Sequence, residues 1–235
     1  MKDFPKTHLW MLLPLFIALA GFYFSYWSRF SQVPFHQHIH GLTATLWYMF
    51  LVLQPWLYKK HDLKLHRKFG FVGLFIAGAV VFSALQVVPN NINNERLQPI
   101  LRYGLTWGDF IFLIGFSYSV IMAMMNSRQI DIHARYMIAS GFWALLPALG
   151  RLIYFPLIIT YDYPPPFSFI EVIYFSSFIT CMVIVLMIVL DVRQEGKIYS
   201  SYVLVGLGTL FFAISFEFVG SASWWIAFCN RVLLS

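Results

Sequence analysis

Three of the seven histidines in this 235-residue chain stand on alternate positions in FHQHIHG, Phe35 to Gly41. Pro34 precedes them and is pre-set for the first position of a helix. On a helix, His36 and His40 form an i, i+4 pair on one face, a spacing that suits two imidazole nitrogens on one metal ion. Two ligands do not make a site, so partners must come from elsewhere in the chain. Asp109, Arg151, Glu171 and Glu217 fall inside four separate apolar runs, at one level. Ionisable groups in such runs are costly and usually face a cavity or one another. The set predicts a polar cavity, with His36, His40, Asp109 and Glu171 as candidate ligands of a divalent metal and His38, Arg151 and Glu217 as further lining. The structural alternative is an ion pair of Arg151 with Asp109 or Glu171, the histidines being merely hydrated.

A second histidine group has a different signature. LHRKFGF (65–71) and IHARYMI (132–138) share the pattern apolar, His, any residue, basic, aromatic, and Asp62 and Asp131 precede them. The echo predicts a repeat of two helical hairpins related by an axis along the membrane normal. Such a repeat brings His66 and His133 to matching depths on neighbouring helices. Two imidazoles facing each other across a bundle are what a bis-histidine haem b needs, with Arg67, Lys68 and Arg135 available to the propionates. Both histidines lie at the ends of their runs, however. The alternative is a pair of basic, interfacial anchors that meet lipid phosphates.

The elements that must position these residues follow from composition. The chain is 60% hydrophobic, 20% aromatic and 11% charged, with a mean hydropathy of +0.70; soluble domains carry about 25% charged residues. That excludes an ordinary soluble enzyme, and the net charge of +6 is no argument for nucleic acid. Runs of about 20 apolar residues recur, each enough to cross a bilayer. We expect an all-α, polytopic membrane protein of one domain, residues 1–235, with seven spans near Leu9–Trp27, Gly41–Tyr58, Phe69–Val88, Gly104–Met125, Tyr136–Ile159, Phe167–Val192 and Tyr202–Phe228. Loop chemistry separates them, as in PNNINNERLQP and YDYPPPF. The first run, with ALA at 18–20, has features of a signal peptide but continues to Trp27 and reads as a retained anchor.

Lys2, Lys6, Lys59, Lys60, Lys64, Arg67, Lys68, Arg128, Arg135, Arg193 and Lys197 fall on one side, eleven of sixteen basic residues. The positive-inside rule then puts the N-terminus in the cytoplasm, the C-terminus outside and the FHQHIHG histidines outside, while SASWW forms part of an aromatic belt. Cys181 and Cys229 sit at different depths and are not expected to form a disulfide. The glycines of GFVGLFIAG (70–78) predict close helix packing. Span 7 carries no lysine for a retinal Schiff base, and no phosphate-binding glycine loop or Gly-x-Ser-x-Gly elbow is present.

HIHGLTATLWYMFLVLQPWL, then LHRKFG, then IHARYMIAS followed by Arg151, resembles a family of bacterial integral-membrane proteins catalogued as a domain of unknown function. The resemblance covers residues 36–192. It singles out His40, His66, Arg67, Gly70, His133, Arg135, Met137 and Arg151, and implies no reaction. A more distant similarity is to b561-type four-helix membrane cytochromes, which carry two histidine pairs, whereas this chain supports at most one haem. Zinc-dependent seven-span lipid hydrolases need histidines on the last span, which this chain lacks.

The leading expectation is a redox or metal-handling protein of the bacterial cytoplasmic membrane, with one haem b between His66 and His133. Its outer cluster would face an electron donor, a quinol or a metal ion. The first alternative has no cofactor and uses the outer cavity for a small solute or proton. The second is a structural subunit of a membrane complex. In all three the lipid bilayer is a partner and nucleic acid is not.

Overall fold

The computed structural model describes residues 6–161 and 165–233. Lys2 lies outside them. Among the described residues ten α-helices follow one another: α1 (Thr7–Trp10), α2 (Leu12–Gly21), α3 (Phe35–Lys59), α4 (Leu63–Val87), α5 (Pro89–Ile92), α6 (Pro99–Met125), α7 (Ile130–Thr160), α8 (Phe169–Glu195), α9 (Ser200–Gly220) and α10 (Ser223–Phe228). A 3-10 turn covers Trp27–Gln32, and a π-turn, Cys229–Leu233, ends the described chain.

Among the described residues five helical segments are long and apolar enough to cross a membrane: α4 with α5, then α6, α7, α8 and α9. The other two expected spans fall short in different ways. α3 has the length, 25 residues or about 37 Å at 1.5 Å per residue, but carries three histidines and two glutamines. The first segment has the apolarity without the length, since Thr7–Gly21 is interrupted at Met11. Pro14 accounts for the interruption: it has no N–H for the Trp10 carbonyl and its ring crowds that oxygen. The last expected span also breaks, at Ser221 and Ala222, so SASWW enters a turn and a short helix. Only Trp224 of its two tryptophans is exposed. Trp225 is buried with Ile92, Tyr103, Val219 and Cys229, and its Nε1 donates to the Tyr103 carbonyl at 2.9 Å.

Successive helices pack as antiparallel neighbours, α3 on α4, α6 on α7 and α8 on α9, while α6 also packs on α9 and α2 on α7. The main core runs through Trp47, Phe116, Trp143, Phe212 and Phe216. Trp143 is pressed between Gly115 and Gly208, where an added Cβ would stand 2.4 and 2.3 Å from the indole. In GFVGLFIAG only Gly73 serves close packing, against Phe50; Gly70 and Gly78 have open space beside them. Cys181 and Cys229 are both free thiols.

Candidate functional site

The antiparallel order gives the bundle a basic end, where α3 meets α4 and α6 meets α7, and an opposite end bearing FHQHIHG. The helix there begins six residues before the expected span, with Pro34 as its N-cap rather than its first residue. His36 and His40 are thus on one helical face, as their spacing implied.

At that end lies a cavity of about 410 Å³, reached by His40 from α3, Asp109 from α6 and Arg151 from α7. The short helix α5 lines it through Asn90 and Asn91, and the turn that follows through Asn94. Each polar group has a partner that fixes it. His40 Nδ1 lies 3.2 Å from Ser83 Oγ, which in turn contacts Thr43 Oγ1 at 2.9 Å. Asn91 Nδ2 donates to Asp109 Oδ2 at 2.7 Å. Arg151 Nη1 donates to the Pro147 carbonyl at 2.9 Å, and its guanidinium lies 4.9 Å from the Phe22 ring centre. Among the described residues, no ion pair joins Arg151 to Asp109 or Glu171, so the simple ion-pair alternative is not what the structure contains.

The other residues expected here are elsewhere. His36 does not line the cavity; its Nε2 accepts from Asn90 Nδ2 at 3.3 Å, tying α3 to α5. His38 turns aside to Tyr26, whose hydroxyl lies 3.0 Å from His38 Nδ1, and packs 4.5 Å from the Phe30 ring. Glu171 is the third residue of a capping box that opens α8. Its Oε2 accepts from the Ser168 N–H at 2.7 Å, and Ser168 Oγ accepts from the Glu171 N–H at 3.2 Å. That exposed capping role replaces both metal ligation and cavity lining. Glu217 is also exposed and accepts from Tyr174 Oη at 2.5 Å, joining α9 to α8. Among the described residues, no three His, Cys, Asp or Glu side chains gather as a metal would require, so the expected set of His36, His40, Asp109 and Glu171 is not assembled.

At the basic end the structure brings His66 and His133 together, with ring centres 6.5 Å apart and planes at 76°. Each sits at the start of the second helix of a hairpin and turns Nδ1 back to a carbonyl of the first. His66 Nδ1 is 3.4 Å from Gln54 O, and His133 Nδ1 is 2.8 Å from Ala123 O. The two hairpins thus share a kind of contact, closed over 12 residues in one and 10 in the other. It fixes the proton on each Nδ1 and leaves each Nε2 lone pair free. Near it, both polar side-chain atoms of buried Gln54 lack a partner.

Arg135 is a correction: it does not face this pair. It is 3% exposed and gives bonds of 2.8 and 2.7 Å to the two Asp191 oxygens, a third of 2.6 Å to Glu195, and one of 3.2 Å to the Asp131 carbonyl. Tyr199 lies 3.8 Å under its guanidinium and donates to Glu195. Burial first, and then that bond, push the Tyr199 phenol up to about 12. Arg67 and Lys68 are exposed beside His66.

Asn91 and Ser83, which hold Asp109 and His40, had no signal beyond their place in a loop and an apolar run. Asp191 did have one, because it is an ionisable residue inside an apolar run. No family model, curated protein or solved structure matches the chain, so the family resemblance rests on its quoted motifs alone.

Proposed function

We propose that the chain is a seven-span protein of the bacterial cytoplasmic membrane that binds or moves a small solute or proton through the cavity shared by His40, Asp109 and Arg151. The observation that carries this reading is the convergence on one space, from three helices, of an imidazole, a carboxylate and a guanidinium, the last two not joined in an ion pair. Ionisable groups at membrane depth are a functional-site signal by default, and a concave, mostly apolar space with a few aimed polar groups is the ordinary form of a small-ligand site. In this reading α1–α2 and α3 complete the seven crossings, and the basic end faces the cytoplasm. The test is a thermostability screen of the purified protein against small metabolites. Solutes that stabilise it should lose their effect in D109N and R151Q and keep it in E171Q. Stabilisation indifferent to the first two variants would refute the cavity reading.

A second reading, a single haem b on His66 and His133, is supported by the two free Nε2 atoms held by Nδ1–carbonyl contacts, the outer-shell arrangement usual for ligating histidines. Arg67 and Lys68, but not Arg135, would be left to the propionates. A haem there would supply one-electron transfer. A dithionite-reduced minus oxidised spectrum with haem bands that vanish in H66A and H133A supports it; a colourless protein made with ample haem refutes it.

A further inference from the structure

We propose that the cavity ligand is a zwitterion, an α-amino acid with a large apolar side chain, whose carboxylate meets Arg151 and whose ammonium meets Asp109. This rests on the reading of the cavity as a solute site. Arg151 has five N–H groups and gives one, to Pro147 O. Asp109 accepts one bond, from Asn91, and keeps its second oxygen free. The two residues come from packed helices, α6 and α7, and line the same space without forming an ion pair.

Charge bookkeeping then narrows the ligand class. A buried charge without compensation is costly. A simple anion would satisfy Arg151 but face Asp109, and a simple cation would satisfy Asp109 but face Arg151. A molecule with both charges on neighbouring atoms satisfies each.

Two further polar atoms point the same way. Ser25 and Trp47 line the cavity, and Ser25 Oγ and Trp47 Nε1 are buried without partners, so an O–H and an N–H are spare. Buried polar groups seldom go unpaired, and a ligand carboxylate is an acceptor for donors of this kind. The remaining walls are apolar, with Phe112, Phe116, Trp143 and Phe212 among aliphatic side chains, and suit an apolar side chain. A space of about 410 Å³ lies within the usual range for small-molecule sites.

The test is binding of radiolabelled L-phenylalanine to the full-length protein in detergent, with N-acetyl-L-phenylalanine and phenethylamine as competitors. The first competitor lacks the ammonium and the second the carboxylate. Saturable binding of L-phenylalanine is expected, with each analogue at least about tenfold weaker, as loss of a charge-assisted bond implies. R151Q and D109N should each lower affinity by a similar factor, and the analogue comparison stands on the wild-type protein even if a variant does not fold. An analogue that competes as well as L-phenylalanine overturns the pairing assigned to the group it lacks. Absence of L-phenylalanine binding overturns the inference; if another solute class still stabilises the protein through Asp109 and Arg151, the cavity reading survives it.

Discussion

Asp191→Asn is the substitution whose effect the structure defines most sharply. Asp191 is 1% exposed on α8 and takes two hydrogen bonds from Arg135 of α7, at 2.7 and 2.8 Å. The amide keeps the volume and one acceptor oxygen but removes the charge and turns one bond into a clash of donors. Breaking a buried pair by removing one partner costs about 3–5 kcal/mol, because the other charge stays behind. Here Glu195 still accepts from Arg135 at 2.6 Å and Tyr199 still lies beneath it, so the lower end, about 3 kcal/mol, is expected. The assay is equilibrium unfolding in mixed micelles, with D191N, R135Q and the double variant forming a cycle. The double variant should lose less than the sum of the singles, since neither charge is then stranded. A loss below about 1 kcal/mol for D191N, the range of exposed pairs, would refute the burial argument.

Other outcomes follow from the same geometry. G208A should destabilise by about 1–3 kcal/mol, because a Cβ 2.3 Å from the Trp143 indole cannot be relieved while Trp143 Nε1 is bonded to Ser119. G70A, with open space beside it, should be neutral or stabilise by up to about 1 kcal/mol in the same unfolding assay. S168A should cost about 1 kcal/mol by removing the α8 cap while leaving solute binding unchanged, whereas a shared metal on Glu171 would make binding suffer as well. H66A should shift no solute affinity, since His66 is at the opposite end of the bundle from Asp109; a loss of binding would contradict the separation of the two histidine groups.

The helical class and the partition of the histidines into two groups were legible because apolar runs and charge asymmetry are properties of the bilayer as solvent. Asp109 and Arg151 were legible for the same reason, as charges that hydrocarbon does not tolerate unaided. The meeting of His66 and His133 followed from the echo of LHRKF in IHARY, and the structure adds its cause, a carbonyl contact repeated in each hairpin. The misses have physical reasons too. Glu171 was read as a buried ligand although Ser168-x-x-Glu171 carries the capping-box pattern, and the local bond to the Ser168 N–H won. His36 and His40 share a face but lie a turn apart along the axis, enough for one to hold α5 while the other faces the cavity. Arg135 was matched to a hypothetical propionate because its true partner, Asp191, is 56 residues away in sequence and no local spacing relates them. The break at Met11 turned on one proline that hydropathy does not register.

The central claim is that Asp109, Arg151 and His40 face an aqueous space entered from the side opposite the basic loops. Labelling of Ala144→Cys, a cavity-lining position, by a membrane-impermeant thiol reagent tests it most directly, in a C181A, C229A background and with lipid-facing Leu186→Cys as control. The account predicts labelling in spheroplasts, little labelling in inverted vesicles, and none at position 186 from either side. Labelling from the cytoplasmic face alone would reverse the orientation, and failure to label position 144 from either face would contradict the cavity on which the proposed function stands.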